Sequence, residues 1–327
     1  MTALSQQSLS ISIVMPLYNK GSVVRRAIES VLKQTVSEFE LIVVNDGSTD
    51  KSPEVARSID DPRIKIIDQE NAGVSAARNR GITEAKSDLI AFLDADDEWK
   101  PSFLEAIFNL INKFPTCKVF ATNYIYREVN GASKLPIIRG LPPHPWEGIL
   151  EDYFEVASKS DPPLWTSAVS VKKKAIQSIN MFPVGVTSGE DLLTWARLSI
   201  HNDIAYSSKP EAIFWLGTTR VGVPARIPDK DDIVGQSLLK ILHDLEPQCQ
   251  MALKKYIALW HRMRAAQYLQ ANLRSDAFRE LSEIAHFEKM NPRLFLYFAI
   301  ASLPTLISKK LFVGLNLLKT FRRRLFV

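Results

Sequence analysis

Residues 88–99 read DLIAFLDADDEW. An unbroken apolar run, residues 89–93, ends in four acids around one alanine: Asp94, Asp96, Asp97 and Glu98. Such a run fits a strand buried on both faces, as parallel strands are. Four like charges at that spacing cost free energy unless a positive group stands among them. The stretch therefore predicts a buried strand that delivers a charged loop to its carboxyl end.

The residues upstream repeat the pattern. SISIVMPLY (10–18) predicts a strand ending at Pro16, and SVVRRAIESVLKQ (22–34) has helical spacing with Ser22 as its cap. FELIVVND (39–46) is a second apolar strand, and GSTDKSPEVARSI (47–59) turns into a helix. RIKIIDQ (63–69) is a third strand, and NAGVSAARNRGITEA (71–85) is a loop entering a helix. The order β-α-β-α-β-α-β implies an α/β fold with a parallel sheet and right-handed crossovers. In such sheets ligands sit at the carboxyl ends of the strands. The polar residues gather there: Tyr18 and Asn19, Asp46, Asn71 to Gly73, then Asp94 and Asp96. Taken alone, Asp46 beside GSTD reads as a turn residue or helix cap; four strand ends feeding one polar cluster point to a ligand site.

The middle of the chain is less regular. CKVFATNYIY (117–126) reads as a strand, LWTSAVSVKKKAI (164–176) as a strand entering a helix. In NMFPVGVTSGEDLLTWARLS (180–199) the pair Glu190-Asp191 opens a helix, where acids also complement the helix dipole. A Gly/Pro-rich loop near 217–232 marks a boundary, and three helical stretches lie beyond it.

The 327 residues carry a formal net charge of +5, unevenly placed. After Glu288 there is no acid, while Lys289, Arg293, Lys309, Lys310, Lys319, Arg322, Arg323 and Arg324 are all basic, so the rest of the chain is net acidic. A nucleic-acid binder spreads its basic residues over a face, and none is expected here. Basic residues mixed with apolar ones in 293–327 read as a segment lying on a membrane surface, the alternative being a helix docked on the core. The run 294–307 is too short to span and contains Pro304. Two cysteines, Cys117 and Cys249, form no disulfide framework, and the N-terminus lacks a signal-peptide pattern. The expected location is cytoplasmic, peripheral on the membrane's inner face.

The simplest counter-ion for the acidic loop is a hard divalent cation, Mn²⁺ or Mg²⁺, held by carboxylates and substrate phosphates. Asp94 and Asp96 either share a face of an extended segment or splay apart in a turn. An aspartate-nucleophile phosphohydrolase also uses Asp-x-Asp, but after its first strand, which here ends in PLYN.

IVMPLYNKGSVVRRAIESVLKQT (13–35), ELIVVNDGSTDKS (40–52), NAGVSAARNRGI (71–82), LIAFLDADDEW (89–99) and GEDLLTWARL (189–198) together resemble family 2 glycosyltransferases over roughly residues 10–220. The resemblance implies a GT-A fold, with 1–105 as the nucleotide-sugar-binding half, 106–222 as the acceptor-binding half and 223–327 as a helical extension. It implies a nucleotide-diphosphate donor, taken as a UDP-sugar, and a glycan or lipid-linked acceptor. By the same resemblance Pro16, Tyr18 and Asn19 lie at the nucleotide, Tyr18 against the base. Asp46 meets base or ribose, while Asn71, Gly73 and Arg78 line the nucleotide site, the alternative for Arg78 being a structural ion pair with the acidic loop. Asp94 contacts ribose or sugar beside Ala95, Asp96 ligates the metal with Asp94, and Asp191 is the catalytic base with Glu190 as the other acid of the pair. A carboxylate facing the acceptor suits a base that takes a hydroxyl proton, and Gly189 gives the backbone room. The processive members' Gln-x-x-Arg-Trp motif and spanning helices are not found, which implies addition of one or a few sugars. A nucleotidyltransferase, or an inactive sugar-nucleotide-binding module, remains the alternative; the former needs a Gly-rich basic loop where LYNKGSV stands.

Overall fold

Apolar residues with strand and helix periods alternate through the first two-thirds of the chain, and the computed structural model folds them accordingly; it describes residues 10–216, 227–247, 250–289 and 292–303. The chain divides into two compact units, Met1–Val221 and Gly222–Val327. In the first, β1 (Ile11–Leu17), α1 (Val24–Leu32), β2 (Phe39–Asp46), α2 (Ser52–Arg57), β3 (Ile64–Gln69), α3 (Val74–Glu84) and β4 (Leu89–Phe92) come in the expected order. Then come β5 (Glu98–Trp99), α4 (Phe103–Lys113), β6 (Val119–Glu128), β7 (Ser133–Lys134), β8 (Glu147–Ile149), α5 (Tyr153–Lys159), β9 (Val169–Lys172), α6 (Lys173–Ser178), α7 (Glu190–His201) and β10 (Ile204–Leu216).

All ten strands join one sheet, ordered β3-β2-β1-β4-β9-β6-β10-β5, with β7 on β6 and β8 on β10. Strands β3, β2, β1 and β4 are parallel. Strand β9 runs antiparallel to both β4 and β6, so β6 and its parallel neighbour β10 point the same way as β4. The carboxyl ends of β1, β2, β3, β4, β6 and β10 therefore share one edge, and the segment entering β9 arrives at that edge too. Ile11, Ile13, Val14, Met15 and Leu17 of β1 are all at 0% exposure, as expected for a central strand. Pro16 lies inside β1 rather than at its end, because the strand runs on to Leu17.

Two local expectations are corrected. Ser22 does not cap α1: the cap position is Val23, without a side-chain bond, and the Lys20 carbonyl accepts from Val23 N and Val24 N instead (both 2.9 Å). The strand β10 was not anticipated. Lys209 and Pro210 interrupt its pattern, and its pairing with β6 shifts register on either side of Pro210.

In the second unit α8 (Ile233–Asp244) packs on α9 (Gln250–Gln270), which shares a small core with α10 (Arg274–Ile284) and α11 (Pro292–Ser302). Asp232 caps α8 by accepting from Gly235 N (2.9 Å). From the start of the tail, Leu294, Ile300 and Ala301 of α11 are buried in that core, whereas Phe295 and Leu296 are exposed. The docked-helix alternative thus describes 292–302. Residues 304–327, with Pro304 and the basic residues from Lys309 to Arg324, lie outside the described residues, as do residues 217–226 and Cys249. No helix among the described residues is long and apolar enough to cross a membrane.

Helix α3 sits close on β1. A Cβ at Gly81 would come within 2.3 Å of Val14 Cγ1. Helix propensity alone favours alanine at Gly81 by about 1 kcal/mol, but overpacking costs about 1–3 kcal/mol, and the overlap decides the sign. Gly81→Ala is expected to lower stability in urea unfolding, and adding Val14→Ala to recover part of the loss. A Gly81→Ala protein at least as stable as wild type would contradict this packing.

Candidate functional site

The shared strand edge gathers the polar residues in two layers. The first is a backbone frame. Asp46 ends β2 with 2% of its surface exposed. Its carboxylate accepts from Gln69 Nε2 (2.8 Å), Ala72 N (2.9 Å) and Gly73 N (2.9 Å), and its carbonyl from Asn71 Nδ2 (2.9 Å). Asp46 thus pins the Asn71–Gly73 loop after β3. Gly47 is required there: its φ is +68°, and a Cβ would lie 2.8 Å from Asn71 N. Asn19 adopts φ +50° and accepts from Thr49 N on Oδ1 (2.8 Å), which ties the loop after β1 to the loop after β2. Tyr18 beside it is 47% exposed, an aromatic face left open at the mouth of the site.

The second layer is the acidic turn. Asp97 N donates to Asp94 O (3.0 Å), closing a turn over residues 94–97. Ala95 sits at the turn's base with its methyl in the hydrophobic core, so its side chain does not face the site. The two aspartates splay. Asp94 accepts from Arg78 Nη2 (2.8 Å); Asp96 accepts from Lys20 Nζ (2.6 Å) on its carboxylate and from Arg26 Nη2 (2.7 Å) on its carbonyl. The chain's own cations therefore stand among the acids. The Arg78 pair is the ion pair that the sequence offered as the alternative reading of that residue; Lys20 and Arg26 were not legible as partners, because they lie at least seventy residues away in the chain. Asp94 and Asp96 side chains stay 25% and 23% exposed.

Asp97, by contrast, is buried, and its Oδ2 accepts from Trp165 Nε1 (2.9 Å) and Ser167 Oγ (2.5 Å). The same Ser167 Oγ accepts from Asp94 N (3.1 Å). These partners come from the segment entering β9. Burial, then the charges of Asp96 and Asp94, push the Asp97 carboxyl well above the usual carboxylate range. Glu98 accepts from Trp215 Nε1 (3.1 Å), and Glu98–Trp99 pair with β10.

Arg78, on α3, links this turn to the acidic helix start. It is 3% exposed, donates to Asp94, and reaches Glu190 Oε1 with Nη1 (3.3 Å). Burial lowers a guanidinium's affinity for its proton, but Asp94 and Glu190 more than offset that and raise it. Its neighbour Asn79, not singled out from sequence, clamps Phe182 from both sides, donating to its carbonyl (2.8 Å) and accepting from its N–H (2.9 Å). Phe182 packs edge-on against Phe92 and Trp195 and lies under the Arg78 guanidinium. The loop that leads to α7 is thereby fixed to α3. Gly189 precedes α7 at φ +83°, in the left-handed region, and this is what requires glycine there. Asp191 has no ion-pair partner of its own among the described residues; Leu192 N donates to it (2.7 Å). Burial and the adjacent Glu190 charge raise its carboxyl to about 7, against the pull of Arg78.

In the second unit Asp232, His261 and Glu280 converge within 4.8 Å. Arg264 and His261 both bond Glu280 (2.9 and 2.8 Å), and Trp260 Nε1 donates to Asp232 (3.0 Å). Burial alone would raise the Glu280 carboxyl; His261 and Arg264 hold it below the usual range. These bonds staple α8, α9 and α10 together.

Residues 12–161 match the family model described as glycosyl transferase family 2. Over those residues, a little under half of its length, the chain is similar to that family. Among relatives, the uncharacterized glycosyltransferase YibD of Escherichia coli K12 is 43% identical over 102 residues, 31% of this chain and 30% of that protein. Glycosyltransferase GlyG of Streptococcus pneumoniae is 38% identical over 124 residues, 37% of this chain and 41% of that one. The match thus spans well under two-thirds of either relative. Staphylococcus aureus TarS 1–349 in complex with UDP-GlcNAc superposes with a TM-score of 0.64 at 18% identity, covering 84% of this chain and 80% of that one. At that identity the likeness is one of fold: both are mixed α/β GT-A architectures, here with a helical C-terminal region.

A carboxyl group raised by burial destabilises the folded state once it must ionise. For Asp97 the folded protein holds its proton to higher pH than the unfolded chain, so stability falls as pH rises above the unfolded value of 3.8. Asp97→Asn is expected to gain stability over wild type at pH 8 and none at pH 3, measured by urea unfolding. An equal difference at both pH values would contradict the assignment.

Proposed function

We propose that the protein moves a sugar from a UDP-sugar to a hydroxyl of a glycan or lipid-linked acceptor, with inversion at the anomeric carbon. The observation that supports this best is the Arg78 bridge, which sets the strand-end acids and the acidic start of α7 around one guanidinium. On this reading the nucleotide lies along the ends of β1 to β3, with the exposed Tyr18 against the base. Pro16, Asn19, Asp46, Asn71 and Gly73 shape that site; Asp46, already met by three N–H donors, acts through the loop it holds. That TarS was crystallised with UDP-GlcNAc and with UDP favours a uridine donor.

The residues fit a divalent cation. Asp94 and Asp96 offer hard oxygen donors, both carboxylates are partly open to solvent, and each gives one oxygen to a basic side chain. Mn²⁺ or Mg²⁺ bound there would neutralise charge gathering on the diphosphate as its bond to the sugar breaks. Asp191 takes the acceptor hydroxyl's proton as the hydroxyl oxygen attacks the anomeric carbon. The bond from that carbon to the diphosphate oxygen breaks, and its electron pair leaves with the nucleotide. Of the two α7 acids Glu190 is engaged by Arg78, while Asp191 carries a carboxyl raised to about 7, suited to accept a proton near neutrality. The product belongs to cell-surface polysaccharide or glycolipid synthesis. The acid-free basic tail would hold the enzyme on the cytoplasmic face of a membrane.

A base must be unprotonated to act, so kcat/KM should rise with pH and level off above an apparent pKa near 7 that belongs to the Glu190–Asp191 pair. Asp191→Asn should lower the rate by about 100- to 10,000-fold and remove that rise, with donor affinity little changed. Greater damage from Glu190→Gln would assign the base to the other acid. For the tail, a chain ending at Leu303 keeps the packed α11 and loses the basic residues beyond it. It should melt as the full chain does yet no longer sediment with anionic liposomes at low salt; undiminished binding would refute the attachment.

A further inference from the structure

Lys20 is fixed at its backbone and meets the acidic turn only through its tip. Its N–H donates to Ser52 Oγ (2.7 Å), and the next residue's N–H donates to Asp50 Oδ2 (3.0 Å), so the turn after β1 is tied to the start of α2. Its ammonium donates to Asp96 Oδ2 (2.6 Å), and both side chains keep 23% exposure. The contrast with Arg78 is physical. Arg78, with a side chain 4% exposed, serves two carboxylates from a buried position. An ion pair as open as Lys20–Asp96 is worth only a few-fold in an equilibrium. Lysine is also a compact point charge on a flexible stem, able to turn to another anion without moving its backbone.

We propose that Lys20 is a built-in competitor for the divalent cation at Asp96. It neutralises Asp96 while the donor site is empty and swings to the donor's diphosphate when cation and nucleotide arrive together. This rests on the metal-dependent donor site proposed above. Two cations repel at one carboxylate, so the cation alone must displace Lys20, whereas a diphosphate offers the ammonium another anion. The nucleotide therefore strengthens cation binding, and by linkage the cation strengthens nucleotide binding by the same factor. The loop LYNKGSV supplies a single lysine rather than a Gly-rich basic cradle, and one mobile charge is what this exchange needs.

The test is Mn²⁺ binding to the full chain, monitored through the electron paramagnetic resonance signal of free Mn²⁺, with and without UDP. It compares wild type with Lys20→Met, Lys20→Arg and Asp96→Asn, each first shown to melt cooperatively. Without UDP, Lys20→Met should bind Mn²⁺ more tightly than wild type, by up to about 5-fold, and Lys20→Arg should stay near wild type. UDP should raise Mn²⁺ affinity more in wild type than in Lys20→Met. Mn²⁺ affinity in Lys20→Met equal to or below wild type, with Asp96→Asn impaired, overturns the inference alone. Equally weak binding by wild type and Asp96→Asn even with UDP overturns it together with the metal reading.

Discussion

A buried guanidinium between two carboxylates is the constraint on which the site's geometry depends. Arg78 joins Asp94, just beyond the end of β4, to Glu190, which lies 112 residues after Arg78 in the chain. Neither acid could be placed so close to the other without it, and removing one partner of such a buried group is among the costlier changes a protein can suffer, about 3–5 kcal/mol. Everything around it serves to hold it. Gly81 lets α3 lie against β1, Asn79 clamps the loop before α7, and the ring of Phe182 lies under the guanidinium. One helix thus carries the packing contact, the loop clamp and the charge bridge, and it sets the strand-end acids relative to the acids of α7.

The acidic turn is then a graded arrangement of charge. Arg78 is buried and doubly paired. Arg26 is half-buried, holds the Asp96 carbonyl and lies over the Trp215 ring (4.2 Å). Lys20 meets the turn through a single ion pair at its flexible tip. Asp97, the acid with no cation on its carboxylate, is the one driven towards its neutral form, and it anchors the turn through Trp165 and Ser167. Four acids in five residues are stable here because each meets a different environment. Two stay partly open to solvent, one is held by indole and hydroxyl donors, and Glu98 enters the sheet.

The strand-end placement of Asp46, Asp94 and Asp96 was legible in sequence because buried parallel strands leave long apolar runs, and polar residues mark where each run emerges from the core. The acidic start of α7 was legible for a similar local reason. The features that sequence did not reveal depend on contacts between distant segments. Lys20 and Arg26 lie on a loop and a helix far along the chain from the turn they meet. Asp97 reads as equivalent to its neighbours, and only the approach of Ser167 and Trp165 separates it from them. Strand β10 was hidden by Lys209 and Pro210, which break its period where the register shifts. Asp46 was legible as a strand-end polar residue, but its role as the clamp of the Asn71–Gly73 loop needed the third strand in register beside it.

The central claim is that this strand edge binds a nucleotide-diphosphate sugar around a cation-neutralised acidic turn. The most direct measurement is the melting temperature of the full chain against a panel of UDP-, GDP- and dTDP-sugars, each with Mn²⁺ and again with EDTA. A ligand at about 100 times its Kd adds roughly 2.7 kcal/mol of stability to the state that binds it. A clear rise is predicted for at least one UDP-sugar with Mn²⁺, shrinking with EDTA. Unchanged melting across the whole panel at millimolar ligand would contradict it.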